Sequence, residues 1–475
     1  MVVVFTSLQM YIYDNAFFMK RLNCLLQAAF VAALSLIVVS GARGQIITTI
    51  AGNGFGAGVF AGGGYSGDGG PATAAKLSSP IGITTDAAGN IYFAEQFNHV
   101  IRKVDVHGVI TTIAGTGAYG FSGDGGPATA ALLKEPLFPV CDGAGNIIFS
   151  DGGNRRIRKI STAGIITTIA GCDSSHLTGD GNPATAMVLS GPSGIALDKH
   201  GNILFADGVV NKITPSGLLY RFAGCDACST YRDGAPATLV ALNVQGIAFD
   251  TVGNLYLADQ VKKVLIVDTN GIISTFAGRV TAGYAGDGGP AIDAELSSPF
   301  SVAVDHYGNV LIGDYGNNVI RVVNTSGIIS TIAGSDSLGY TGDGGPATDA
   351  RLYGTGGMAF DPDNNLLFCD ITNNVVRKVT TGALNAPVLA APAITLNLLP
   401  NPNDGHFWMR ATGCDPGDFN VVIVNAMGQV VKRLSVPIIK SGIVEFPIHL
   451  NVAAGKYFLF TEQGGQRVSA SVVVQ

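Results

Sequence analysis

Short apolar runs, each broken by turn residues, dominate the chain from Ile46 to Thr380. In residues 81–115, β-branched and aromatic residues fill 81–85, 91–94, 100–104 and 109–113, separated by turn chemistry at 86–90, 96–98 and His107-Gly108. Runs of four or five such residues between Gly, Asn and Asp clusters are strand signals. The one helical hint is a single turn, Pro-Ala-Thr-Ala-Ala-Lys-Leu, at Pro71 to Leu77. The pattern predicts four short strands joined as a meander.

That unit is written repeatedly. Ile-Thr-Thr-Ile-Ala-Gly at 47–52 returns at 110–115 and 166–171, with weaker copies at 219–224, 273–278 and 329–334. The aspartates of the following glycine-rich turns, Asp68, Asp124, Asp180, Asp233, Asp287 and Asp343, stand 56, 56, 53, 54 and 56 residues apart. A fixed period of that size signals a repeat architecture, and four meander strands per period are one blade of a β-propeller. The last copy, near 357–380, has three strands and no Ile-Thr-Thr-Ile strand after it, whereas a spare copy sits at 46–51. The expected fold is all-β: a six-bladed propeller closed by its N-terminal strand, which removes the exposed edges of an open array, followed by a small β-sandwich-like C-terminal domain.

Pro80-Ile81-Gly82-Ile83, then Gly89-Asn90-Ile91-Tyr92-Phe93-Ala94-Glu95, Asn98 and Ile101-Arg102-Lys103-Val104, with counterparts such as Gly145-Asn146 and Arg158-Lys159, resemble the NHL-repeat family across roughly 46–380. The resemblance implies a six-bladed propeller. A second resemblance lies in Leu399-Pro400-Asn401-Pro402-Asn403-Asp404-Gly405, residues 421–430 with Asn425-Ala426-Met427-Gly428, and residues 450–458. These are similar, in their order, to the type IX secretion sorting domain of Bacteroidetes, although Val472-Val473-Val474-Gln475 lacks the lysine often found at its end. Such a domain implies passage across an outer membrane through dedicated secretion machinery.

Composition agrees with an exported chain. Charged residues make up 13% of 475 and the formal net charge is −6, which leaves no electrostatic footprint for nucleic acid. The 65 glycines read as turns, because a hydrophobic fraction of 47% supports a core. Met19-Lys20-Arg21, the apolar run 22–39 and Ala42-Arg43-Gly44 form a signal-peptide pattern, with Met19 the expected start. The expected organisation is a signal peptide at 1–44, the NHL-repeat propeller at 45–380, a Pro/Ala-rich linker at 381–393 and the sorting domain at 394–475. The mature chain then has no stable membrane span.

Candidate chemistry is sparse. Glycines around each turn aspartate permit positive φ and the aspartate caps backbone amides, while one acid per turn is too few for a calcium loop. Glu95, Asp151, Asp207, Asp259, Asp314 and Asp370 end the second strand, and Arg102, Arg158, Arg321 and Arg377 lie on the third, a set that reads as structural ion pairs. Three residues before the turn aspartates stand Tyr65, Phe121, Tyr284 and Tyr340; Leu177 and Thr230 break the series. These rings either pack beneath their own loops or form a binding ring for a partner. Units three and four also lose the arginine (Asn211, Leu265) and collect Cys172, Cys225 and Cys228, a possible disulfide or thiol cluster. His107, His200 and His306 fall on the opposite turns and only His99 and His176 near this face, so no converging metal-ligand set or cofactor is expected.

These features point to a secreted or cell-surface scaffold that binds an extracellular protein or glycan through its loop face. The alternative, which family relatives with lyase activity keep open, is a propeller enzyme, a lyase or hydrolase acting on a peptide or small molecule at that face.

Overall fold

A computed structural model describes residues 45–59, 61–174, 179–225, 227–228, 230–260, 262–380, 395–399, 405–414, 417–425, 429–438, 442–463 and 466–474. The expected signal peptide and linker, the motif residues 400–404 and 426–428, His176 and Leu177 lie outside the described residues. The chain divides into two compact units at Asn385/Ala386.

In the first unit the described residues build six antiparallel sheets, strand following strand in chain order. The first sheet shows the rule: β2 (Pro80–Thr85), β3 (Ile91–Glu95), β4 (Val100–Val104) and β5 (Ile110–Ala114) pair consecutively. The last sheet has three consecutive strands, Thr355–Phe360, Leu366–Asp370 and Val375–Thr380. Its fourth is β1 (Ile46–Ala51), which runs antiparallel to Val375–Thr380 with Ile46 opposite Thr380. The spare Ile-Thr-Thr-Ile strand therefore sits where the sequence lacks one. The first strands of the six sheets pack in succession, and Thr355–Phe360 packs on β2.

Second strands are buried on both faces, as all five residues of Ile147–Asp151, Leu255–Asp259 and Val310–Asp314 show. This explains their unbroken apolar character, which would be half-polar on a one-sided sheet. Phe93, Phe149, Phe205 and Phe368 fill the middle of this strand with no exposed surface, each stabilising by about 1.5–3 kcal/mol.

Two features were not in the four-strand expectation. The Pro-Ala-Thr segment after each glycine turn runs along the outer strand of its sheet: Gly69 N donates to Ile110 O (2.8 Å), Ile110 N to Gly70 O (3.0 Å) and Ala72 N to Gly108 O (2.8 Å). In the third and fourth sheets this contact is a short fifth strand, Asn182–Pro183 and Ala235–Pro236. The repeat thereby covers the edge that would otherwise template pairing with another chain. Gly67, at φ +101°, is required where this loop turns, since a Cβ there would sit 2.7 Å from the Ala75 Cβ.

The other feature is a register shift between third and fourth strands. It falls at Ile101/Arg102, Ile157/Arg158, Val210/Asn211, Val264/Leu265 and Ile320/Arg321. Such bulges re-aim a side chain, and here they stand at the arginine position.

The second unit is a pair of antiparallel sheets. One is Thr395–Leu399, His406–Cys414 and Gly442–His449; the other is Val430–Ile438, Gly417–Asn425, Gly455–Gln463 and Gln466–Val474. Leu398, Phe407, Met409, Val421, Ile423, Ile448, Leu459 and Val472 share one core, the arrangement of a small β-sandwich.

Candidate functional site

Each of four sheets closes a cage around a buried arginine. In the first, Arg102 has no exposed side-chain surface; Nη1 donates to Glu95 Oε1 (2.8 Å) and Nη2 to Asp68 Oδ1 (2.8 Å) and Ser66 O (3.3 Å). The turn aspartate thus does more than cap amides, because it is half of the ion pair. Asp124, Asp287 and Asp343 meet Arg158, Arg321 and Arg377 at 2.7, 2.5 and 2.6 Å, while Asp151, Asp314 and Asp370 stand 3.4, 3.9 and 3.6 Å away from below.

An asparagine ties the two loops of this face together. Asn98 bonds Glu95 and donates to Gly64 O at 2.8 Å; Asn154, Asn317 and Asn373 repeat the pair of contacts on Gly120, Gly283 and Gly339. The residue after it takes the left-handed conformation (His99, Arg155, Asn318 and Asn374, φ 53–56°). Three of these reach the next sheet: Glu135 N donates to His99 Nδ1, Gly354 N to Asn318 Oδ1 and Ser79 N to Asn374 Oδ1. His99 is a structural acceptor here, and burial holds it below the ordinary imidazole range.

Burial dominates the acids below the arginines. It pushes Glu95 up to about 7 against the pull of Arg102, and Asp151, Asp314 and Asp370 up to about 6 against their asparagine, backbone and arginine contacts. Taking such charges out of water is costly, so the arrangement holds only while both partners are present.

The rings lie on the cages. Tyr65, Phe121, Tyr284 and Tyr340 stack over Arg102, Arg158, Arg321 and Arg377 at 5.2, 5.0, 5.4 and 5.5 Å. The Tyr65, Tyr284 and Tyr340 hydroxyls lie 2.8–2.9 Å from Thr112, Thr331 and Thr49 of the fourth strands. The rings thus contact the arginine and threonine registers of the strands, with 39–44% of Tyr65, Phe121 and Tyr284 left facing solvent.

The two irregular units are repaired differently. In the third sheet Asn211 replaces the arginine, but Arg221 stands directly opposite on the fourth strand, its amide bonded to Asp180. In the fourth sheet the ring is not lost: Tyr231, one residue beyond Thr230, reaches Asp233 (2.6 Å) and Thr275 (3.4 Å). Asp233 is pushed up by burial, but bonds from Tyr231 and Thr275 outweigh that and hold it below the usual carboxylate range. Leu265 stands at the arginine register opposite Thr275, and Lys263, two residues earlier, donates to Thr275 at 3.2 Å and stands 5.2 Å from the Tyr231 ring. A cavity of about 520 Å³ opens at this point.

Cys225 is bonded to Cys228, whereas Cys172 is a free thiol near Ser174 O. Among the described residues no group of three or more His, Cys, Asp or Glu is placed to hold a metal ion. The axial cavity of about 280 Å³, lined by the first strands from Ile83 to Phe360, carries no titratable side chain. No helix of the described residues is long and apolar enough to cross a membrane.

Four- and five-stranded meander sheets repeated in chain order define a β-propeller. The model of the Teneurin NHL domain matches residues 47–122 and 280–341. Teneurin-4 of Homo sapiens is 27% identical over 347 residues, covering 64% of this chain and 12% of that protein. The chain thus spans about an eighth of such relatives. A solved protein of unknown function from Bacteroides thetaiotaomicron aligns with TM-score 0.52 and 18% identity, covering 71% of this chain and 76% of its own. An auxiliary nutrient binding protein from the same organism aligns with TM-score 0.51 and 15% identity over the same shares.

Proposed function

We propose that this chain is a secreted or cell-surface binding scaffold: a six-bladed ring closed by β1, which captures an extracellular protein or glycan on its loop face. The observation that carries this reading is that the acids and arginines of that face are engaged with one another in buried cages. A reaction needs titratable groups poised toward a substrate, whereas a scaffold needs rigid loops, and the cages supply rigidity. The auxiliary nutrient binding protein from Bacteroides thetaiotaomicron, similar in fold, agrees in kind.

Pairing of β1 with Val375–Thr380 and the succession of six first strands support the closed six-fold count. Export would follow from a signal peptide at 1–44 and a sorting domain at 394–475, and the β-sandwich of the second unit is compatible with the latter. Binding of the purified full chain to arrays of surface proteins and glycans tests the scaffold: saturable capture of one class is expected, and turnover of a peptide or small molecule at the loop face overturns it. Deletion of 394–475 should retain the protein in the periplasm, and unchanged export refutes the sorting role.

A further inference from the structure

The six segments that carry the first strands share a register, and one position in it is broken. Reading from the loop face, the third residues are Gly82, Phe138, Gly194, Gly246, Ser301 and Gly357. Small residues are required because the segments touch backbone to backbone at this level. A Cβ on Gly82 would lie 2.5 Å from the Phe138 Cα, one on Gly246 2.7 Å from the Ser301 Cα and one on Gly357 2.8 Å from the Gly82 Cα. Phe138 is the exception, and it is only 9% exposed. Its ring lies 5.6 Å from that of Phe300, which belongs to the fifth sheet, three places along the succession of six, and Phe300 lies 5.7 Å from Tyr315. This aromatic row crosses the axis on the loop-face side.

The axial cavity of about 280 Å³ begins at Phe138. Ile195, Ile247, Val302 and Met358, one residue further along, line it at 5–8% exposure, whereas Leu197, Phe249, Val304 and Phe360 at the far end are half-buried. Exposure rises away from the aromatic row, so the mouth opens on the face of the turns between first and second strands, opposite the loop face. No titratable side chain lines the cavity, and a charge brought into it would lose water without gaining a partner. Each first strand also ends at an aspartate, from Asp86 to Asp361, so a carboxylate meets like charge at the mouth. The first strands are sheet edges on this side, and their backbone groups with Thr84 supply the polar contacts. A cavity of about 150 Å³ takes a benzene ring, so this one suits two fused rings.

We propose that the axial cavity is a blind pocket for an uncharged, compact apolar molecule, entered from the turn face and floored by Phe138. Apolar walls with a few backbone contacts are the ordinary make-up of a small-molecule site. Phe138 does what glycine cannot at the same level of four other sheets: it closes the axis beneath the ligand and gives it a ring to stack on. The pocket takes from the proposed function only the closed ring of six first strands, and it makes no use of the loop face.

Calorimetric titration of the full chain with 2-naphthol, and separately with 2-naphthoate, tests it. One saturable site for 2-naphthol is expected, with at least tenfold weaker binding of the carboxylate. Val304→Trp, at the half-buried mouth, should abolish binding. Phe138→Gly installs the residue that four other sheets carry and opens the floor, so 2-naphthol should leave it at least tenfold faster in stopped-flow measurements; this holds the proposal to account even where Val304→Trp does not fold. No saturable binding of 2-naphthol, equal binding of the two probes, or unchanged binding by folded Val304→Trp overturns the pocket, and unchanged dissociation from Phe138→Gly overturns its floor. Capture of a surface partner by the loop face should be the same in Val304→Trp, so failure here leaves the scaffold reading standing.

Discussion

The fifth and fourth sheets share a four-strand meander and differ, among other places, at the arginine register. In the fifth, Arg321 joins Asp287, Asp314 and the Tyr284 ring around a buried guanidinium; in the fourth, Leu265 stands at that register and Lys263 reaches the Tyr231 ring and Thr275. A repeat that holds its geometry without the arginine shows that the strands and the covered edge carry the fold. The cages stiffen the loop face.

The largest expected effect is Arg321→Ala, which leaves Asp314 buried without its cation and should cost about 3–5 kcal/mol, read from denaturant unfolding of the full chain. Leu265→Ala in the fourth sheet removes no charge and should cost less, about 2–3 kcal/mol; equal or greater loss there would break the comparison. Acidity gives the next effect. Glu95, raised to about 7, and Asp151, Asp314 and Asp370, raised to about 6, bind protons more tightly in the folded chain than in the unfolded one. Stability therefore falls as pH rises from the ordinary carboxylate range through 7, and thermal melting should be higher at pH 5 than at pH 8. Glu95→Gln should flatten the upper part of that slope; an unchanged slope would sink the assignment. Smaller still, Tyr284→Ala should cost about 1 kcal/mol through its lost stacking on Arg321. Lys263→Met, at a partly exposed cation, should shift stability by no more than about 0.5 kcal/mol.

Much of this was legible in the sequence because a period of some 56 residues is hard to disguise. The spare strand at Ile46–Ala51, the missing one after Thr380, and the acid and arginine positions all followed from the copies alone. The loop aspartate's partnership with the arginine did not, because Asp68 and Arg102 are 34 residues apart and a bulge sets the aim of the guanidinium. Tyr231 was missed for a similar reason: its one-residue offset hides it from alignment with Tyr65, although its hydroxyl finds the same strand-four threonine position. Arg221 was missed because it lies across a strand pair, opposite Asn211, a placement visible only once the register is known.

The intact cages stiffen the loop face while the strands carry the fold. A crystal structure of the full chain with Arg321→Ala tests this most directly. Strands Pro299–Val304, Val310–Asp314, Val319–Val323 and Ile329–Ala333 superposing on the parent, with the loop around Asp287 displaced, is the result expected. Strands displaced while that loop stays in place would contradict the account.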